Sequence, residues 1–432
     1  MQKLQQADLF ELPPEGVVPQ RPIAGGVDSF LAELKSFREF GKETQFAELP
    51  LASGETVPVF INEFWTAKQR DAHSLHEVSY RACFKPQLPR FFIERLTRPG
   101  DVVYDPFTGR GTTLLEAALL GRAPRANDLN PLSRMLLEPR LCPPDLASIQ
   151  ARLTEIDFTR LHDAREDLLV FYHPETLRQI TALREYFLRR EQEGALDLTD
   201  KWIRMVATNR LTGHSPGFFS VYTLPPNQAV SMASQKRINE KRNQEPVEKD
   251  VPAIILKKSR QLLKDYTADD TRALAGVFDS ARFTCASADA TSEIPSDSVS
   301  LVVTSPPFLN IVQYQTDNWL RGWFCGIDTK QIPIWESGSM NIWTECMLGT
   351  MRELHRVLQP GGHVAFEVGE IRKGKVLLEE VVAKVGVQAG LKPLLVLINS
   401  QVFTKTSNCW GIDNLSKGTN TNRIVLFEKT AG

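Results

Sequence analysis

The chain has 432 residues, 42% of them hydrophobic and 24% charged, with a formal net charge of −1. That length calls for two or three structural units. The balanced charge excludes a protein that binds nucleic acid through its overall charge, so any such surface has to come from segregated charge.

The opening MQKLQQADLF has no apolar core of an export signal, and no apolar run approaches the roughly 18 residues of a membrane span, so a cytoplasmic location is expected. Six cysteines (Cys83, Cys142, Cys285, Cys325, Cys346, Cys409) form no CxxC pair and lack a nearby histidine set. They read as free thiols, with no disulfide frame and no metal site.

Residues 1–75 start Pro-rich and include an extended stretch at Thr56–Ile61, which reads as an N-terminal arm packed on the main domain. From about Tyr80 strands and helices alternate. Val102–Tyr104 is a short apolar strand ended by Asp-Pro and a Gly-rich turn. Thr112–Leu120 has helical Leu and Ala density stopped by Gly121, and Arg125–Leu129 reads as a second strand. Asp145–Glu193 then reads as helical and charged, and 201–230 as loop-rich. Met232–Lys264 holds nine Lys or Arg against four Asp or Glu. Strand patterning returns at Phe283, Ser298–Val303, His363–Val368, Leu394–Phe403 and Arg423–Lys429, with a helix at Val376–Ala389. About 140 residues thus split the β/α pattern, too many for an ordinary loop.

Two motifs carry chemistry. Asp105-Pro106-Phe107-Thr108-Gly109-Arg110-Gly111-Thr112-Thr113 links a strand to a helix. Gly109 and Gly111 let the backbone turn tightly and approach a ligand, and the helix N-terminus offers unpaired N–H groups. A dinucleotide fingerprint fails because Leu114 stands where its third glycine belongs. An acid leading the loop suits the cationic amino-acid end of S-adenosylmethionine (SAM) better than a pyrophosphate. Asp128 closes the second strand and is placed to accept hydrogen bonds from a ribose diol. Asp289, at the end of the third strand, is placed to accept one from an adenine amino group. A turn or capping role is the alternative for both.

The second motif, Thr304-Ser305-Pro306-Pro307-Phe308, follows an apolar strand. Consecutive prolines fix the backbone and leave the carbonyls around them free to point outward. The Ser305 hydroxyl and the Pro306 carbonyl form a rigid acceptor pair for an amino group, and Phe308 is a face for an unstacked base. The bland alternative is a Pro-Pro turn closing a strand.

Together these motifs resemble the amino-methyltransferase family of DNA methyltransferases, whose members carry a D-P-F-x-G-x-G-T loop and an S/D/N-P-P-Y/F/W tetrapeptide. The resemblance covers about residues 76–140 and 281–432. It implies an α/β, Rossmann-like SAM-dependent methyltransferase sheet, mostly parallel with an antiparallel last strand, plus a large, mainly helical inserted subdomain (141–280). It makes Ser305, Pro306, Pro307 and Phe308 the catalytic motif. The cofactor set becomes Tyr80, Ala82, Phe84, Asp105, Pro106, Phe107, Gly109, Gly111, Thr112, Asp128, Asp289 and Thr304. Serine at 305 resembles the cytosine-N4 branch; Asp or Asn is usual in adenine-N6 enzymes.

The order of loop, insertion and tetrapeptide resembles the arrangement with a target-recognition domain between the two motifs, although the insertion falls before the Asp289 strand. Lys236, Arg237, Lys241 and Arg242, with Lys257, Lys258 and Arg260, suit phosphate contacts or a solvated helix face. The loops 404–410 and 418–423 touch DNA or simply join strands. Double-stranded DNA is the expected partner, with the enzyme acting alone or as the modification half of a restriction system beside a separate restriction or defence subunit. Adenine-N6 methylation of DNA, methylation of RNA or a protein amide, and a SAM-sensing DNA-binding subunit are the alternatives. No Pro-Cys motif of a C5-cytosine enzyme is present.

Overall fold

The computed structural model describes residues 26–431 except 52–53, 67–71, 82, 161–164, 225–228, 308–313, 334–338, 370–376 and 401–420. Nine strands are described: β1 (Gln45–Pro50), β2 (Thr56–Asn62), β3 (Val102–Asp105), β4 (Ala123–Asn127), β5 (Arg282–Thr284), β6 (Val299–Thr304), β7 (Leu358–Val368), β8 (Lys392–Ser400) and β9 (Thr421–Glu428). They form one sheet in the order β1-β2-β8-β9-β7-β6-β3-β4-β5. Neighbours from β5 through β7 are parallel, whereas β9 runs antiparallel to both β7 and β8. The expected parallel sheet with an antiparallel last strand is therefore present.

The chain winds from β3 outward through β4 to β5, then returns across β3 to β6 and β7. The carboxyl ends of β3 and β6 thus flank the point where winding reverses, the usual ligand crevice of an open α/β sheet. Alternation along each strand supplies the two faces. Val103, Leu301 and Val303 pack with helices Gly26–Ser36 and Gln87–Leu96, while Tyr104 and Val302 pack with helices Met340–Val357 and Leu378–Gln388.

The stretch read as an arm extends the sheet. β2 pairs in parallel with β8, and β1 pairs antiparallel with β2. Asn399 of β8 accepts from the Phe64 backbone N–H at 2.7 Å, which secures the join. Strand propensity at Thr56–Ile61 is visible in the sequence, but its pairing partner, more than 330 residues away, is not.

The inserted region is helical: Leu146–Glu155, Pro174–Gln192, Leu198–Thr208, Met232–Arg242, Val251–Leu262 and Ala268–Phe278. Asp145, Asp197, Ser231, Asp250 and Thr267 cap five of these helices through their side chains. His173 caps Pro174–Gln192 in the same way, which accounts for its HxE spacing. Their apolar faces, with Trp202, Phe187 and Ile255, join Leu114, Leu115 and Leu137 in one continuous core. No described helix is long and apolar enough to cross a membrane.

Candidate active site

Three strand ends are tied together before any ligand enters. Asn127, fully buried at the end of β4, donates to the Pro106 carbonyl at 3.1 Å and the Ala286 carbonyl at 2.9 Å. Its Oδ1 accepts from the Thr284 hydroxyl at 2.7 Å and the Ala286 N–H at 3.1 Å. Asn127 is not among the residues expected from the sequence. Its only signal there is an amide between an apolar strand and Asp128, where several loops have unpaired backbone groups.

Beside it lies a cleft of about 830 Å³, counting its open mouth, lined by Tyr80, Phe84, Asp105, Pro106, Phe107, Gly109, Thr112, Asp128, Ser305 and Pro307 among others. Asp105 is 2% exposed and accepts from the Thr304 hydroxyl at 2.6 Å and the Phe107 N–H at 3.1 Å. Burial outweighs these bonds and pushes its carboxyl up to about 7. Asp128 accepts from the Gly109 and Asn130 N–H groups, each at 2.8 Å, and burial raises its carboxyl also. No cation among the described residues pairs with either acid.

Gly109 holds φ +53° on the cleft wall, where a Cβ would lie 3.8 Å from the Tyr80 ring. Gly111, at φ +80°, makes the expected tight turn but does not face the cleft. It lies outside the cleft lining, and a Cβ there would come within 2.7 Å of Leu137, so it permits close packing of two helices. Thr304 likewise stands behind the wall, supporting Asp105. Asp289 falls five residues past β5. It accepts from Ser287 and packs against Gly349, while Ala286 and Ala288 line the cleft instead.

On the other bank, Ser305 is half-buried and Pro306 is buried. The Pro307 carbonyl is not unpaired as expected: it accepts from Trp343 Nε1 at 3.0 Å. Glu367 of β7, a residue to which neither motif points, is buried beside Ser305 and accepts from Asn422 at 3.0 Å. A single acid inside the apolar run His363–Val368 is the available signal. Phe308, Ala82 and residues 404–410 and 418–420 lie outside the described residues.

Cys83 also lines the cleft, but burial pushes its thiol up, away from the thiolate a covalent mechanism needs. Lys236, Arg237, Lys241 and Arg242 are exposed on helix Met232–Arg242, and the Arg242 guanidinium lies 3.8 Å over the Tyr222 ring. Lys257 and Arg260 are exposed as well, but Lys258 is buried and paired with Glu77 at 3.3 Å, which removes it from any phosphate surface.

The strand order and the acid-led Gly loop at its reversal point define the class: a Rossmann-like methyltransferase fold. Residues 39–131 match the model of the DNA methylase family of N6 and N4 amino-methyltransferases. The match begins well inside the N-terminal stretch, taking in β1 and β2. The type II methyltransferase M.MjaII of Methanocaldococcus jannaschii is 29% identical over 89 residues, 21% of this chain and 16% of that protein. M.MvaI of Kocuria varians, also a type II methyltransferase, is 28% identical over 97 residues, 22% of this chain and 20% of that one. The chain therefore matches a fifth or less of the length of these relatives. A TehB-like SAM-dependent methyltransferase from Corynebacterium glutamicum superposes with a TM-score of 0.28 at 9% identity, over 79% of this chain and 87% of that one.

The cofactor of the family is SAM, and the cleft suits it. Two acids in its wall, with no cationic partner among the described residues, would suit a cationic amino acid and a ribose diol, and Gly109 leaves room beside them.

Proposed function

We propose that the protein methylates DNA at the exocyclic N4 amino group of cytosine, on a base taken out of the stack. The observation that carries this reading is that one cleft joins Asp105 and Asp128 to Ser305 and Pro307. Asp105 holds the amino-acid end of SAM and Asp128 its ribose, and Tyr80 and Phe84 wall the cleft around them. Bound there, SAM supplies an electrophilic methyl group.

The protein's part is to position and polarise the acceptor. A base amino nitrogen is a weak nucleophile because its lone pair is shared with the ring. Ser305 Oγ and the Pro306 carbonyl accept its two hydrogens, which favours a pyramidal nitrogen with a localised lone pair aimed at the methyl group. Phe308 stacks on the base. Serine at position 305 favours cytosine N4 over adenine N6.

Residues 141–280 supply target recognition in this reading, with Lys236, Arg237, Lys241 and Arg242 on phosphates. Trp319 and Asp317 bond to Ala229, two residues before the cap of that helix, and Asp317 pairs with the cleft residue Arg81 at 2.6 Å. The basic helix is thus tied to the cleft mouth by hydrogen bonds and an ion pair. The reading suits a modification enzyme that works alone or beside a separate restriction subunit.

Incubation with SAM and mixed-sequence DNA or RNA, then nuclease digestion and nucleoside mass spectrometry, tests it. N4-methylcytosine in DNA is the expected product. N6-methyladenine alone would reject the branch, and methylated RNA beside unmodified DNA would reject the substrate.

A further inference from the structure

A second cavity adjoins the cofactor cleft. It measures about 1190 Å³ counting its open mouth, and only Thr108, Asp128 and Asn130 line both spaces. One wall belongs to the sheet domain: Phe283 of β5, with Arg134 and Glu138 of helix Leu132–Leu141. The facing wall belongs to the helical insertion: Glu191 of Pro174–Gln192, with Lys201 and Arg204 of Leu198–Thr208.

The charges in these walls do not balance. Asp128 is taken up by the Gly109 and Asn130 N–H groups. Apart from it, three cations meet two carboxylates. Glu138 serves two of the cations at once, Arg134 at 2.9 Å and Lys201 at 2.6 Å. Arg204 is 5% exposed and reaches Glu191 at 3.0 Å through Nη1 alone. Its Nε–H is buried with no hydrogen-bond partner. An unmet donor on a buried cation is costly, and the bond to Glu191 does not account for it. Arg134 lies 5.3 Å over the Phe283 ring, so a guanidinium and an aromatic surface border the same space.

We propose that this cavity is a second ligand site and that it takes a phosphate group, either free or carried on a nucleotide. Arg204 Nε–H donates to a phosphate oxygen, and Arg134 and Lys201 supply further positive charge around it. Phe283, Met135 and Leu196 offer apolar surface to whatever the phosphate carries. A cationic ligand would meet the surplus of cations, and an apolar one would leave the Arg204 donor unmet. The site is also wired to the cofactor cleft. Asn130 gives its N–H to Asp128 and accepts from the Leu132 N–H at 3.1 Å, at the start of the helix that carries Arg134. A ligand held by Arg134 therefore bears on the support of Asp128, and its occupancy and SAM binding alter each other by one factor.

Calorimetry on the full chain tests the site with CMP, inorganic phosphate and cytidine as probes, at saturating SAM so that the cofactor cleft is filled. CMP should bind saturably, and cytidine, which lacks the phosphate, should not. Arg204→Gln should weaken CMP binding by about tenfold or more. Arg134→Gln, at an exposed position that folding does not need, should weaken it as well. CMP binding tighter than phosphate assigns the site to a nucleotide, and equal affinities assign it to free phosphate. No binding of either probe would overturn the proposal and leave water as the partner of Arg204. Equal binding by the parent, Arg204→Gln and Arg134→Gln would overturn it too, by placing the anion on another surface. In a separate SAM titration, an affinity unchanged by saturating CMP would overturn the link to the cofactor.

Discussion

The two banks of the cleft are built differently. On the β3–β5 side, backbone holds Asp128 through the Gly109 and Asn130 N–H groups, Asn127 bonds to the loops after β3 and β5, and Asp105 accepts from both the Phe107 N–H and the Thr304 hydroxyl. On the β6–β7–β9 side a side chain holds a side chain, as Asn422 donates to Glu367 at 3.0 Å. A backbone cradle is set as soon as the chain folds and suits a cofactor common to a whole family. A side-chain contact changes with one substitution, and it suits the step that distinguishes targets. Losses on the two banks should therefore separate.

The largest expected effect is on the side-chain bank. Ser305→Ala should lower single-turnover transfer by about 10²-fold or more with SAM affinity unchanged. Calorimetry beside radiolabelled transfer reads both numbers, and a matching loss in SAM binding would erase the proposed division. Asp105→Ala should do the reverse, weakening SAM binding by about 1–3 kcal/mol.

A pH series sharpens the point. Burial lifts Asp105 from 3.8 to about 7, so the folded protein binds a proton there more tightly than the unfolded chain. Its contribution to the stability of the free protein is fully present below pH 3.8 and lost as pH rises through about 7. SAM needs the ionised acid, so its affinity should climb with pH toward about 7 and then level, with the slope absent in Asp105→Asn. A flat parent profile would remove Asp105 from the amino-acid end.

Asn127→Ala should cost about 2–3 kcal/mol in chemical denaturation, since it leaves several buried groups unpaired. Its loss in SAM binding should track the loosened loops. The smallest effect per residue lies outside the cleft. Reversing Lys236, Arg237, Lys241 and Arg242 should weaken DNA binding and lower the salt slope by about 0.9 for each phosphate no longer neutralised, with SAM binding intact. An unchanged slope would move the DNA surface elsewhere.

Residues whose role is local are legible in the chain itself. The Asp105–Thr113 loop is a strand end, a Gly-rich turn and a helix start within nine residues, and Gly109 is needed for its own backbone angle. The Pro-Pro turn after an apolar strand is equally local. Helix stops at Gly121 and Gly194 are readable because positive φ, at +75° and +65°, favours glycine wherever it occurs. Asp289 misleads because its neighbourhood, a polar turn after a short strand, looks the same whether the carboxylate faces a ligand or a helix.

What the tertiary structure alone decided is which distant residues share a wall. Glu367 stands beside Ser305 only because β6 and β7 pair in one register, and a slip of one residue would turn it to the other face. β2 finds β8, and Gly111 finds Leu137, through packing that no local pattern encodes. Motifs are visible in sequence because they repeat the same short-range backbone requirement. The partners that tune them depend on strand order and register, which the whole core determines at once.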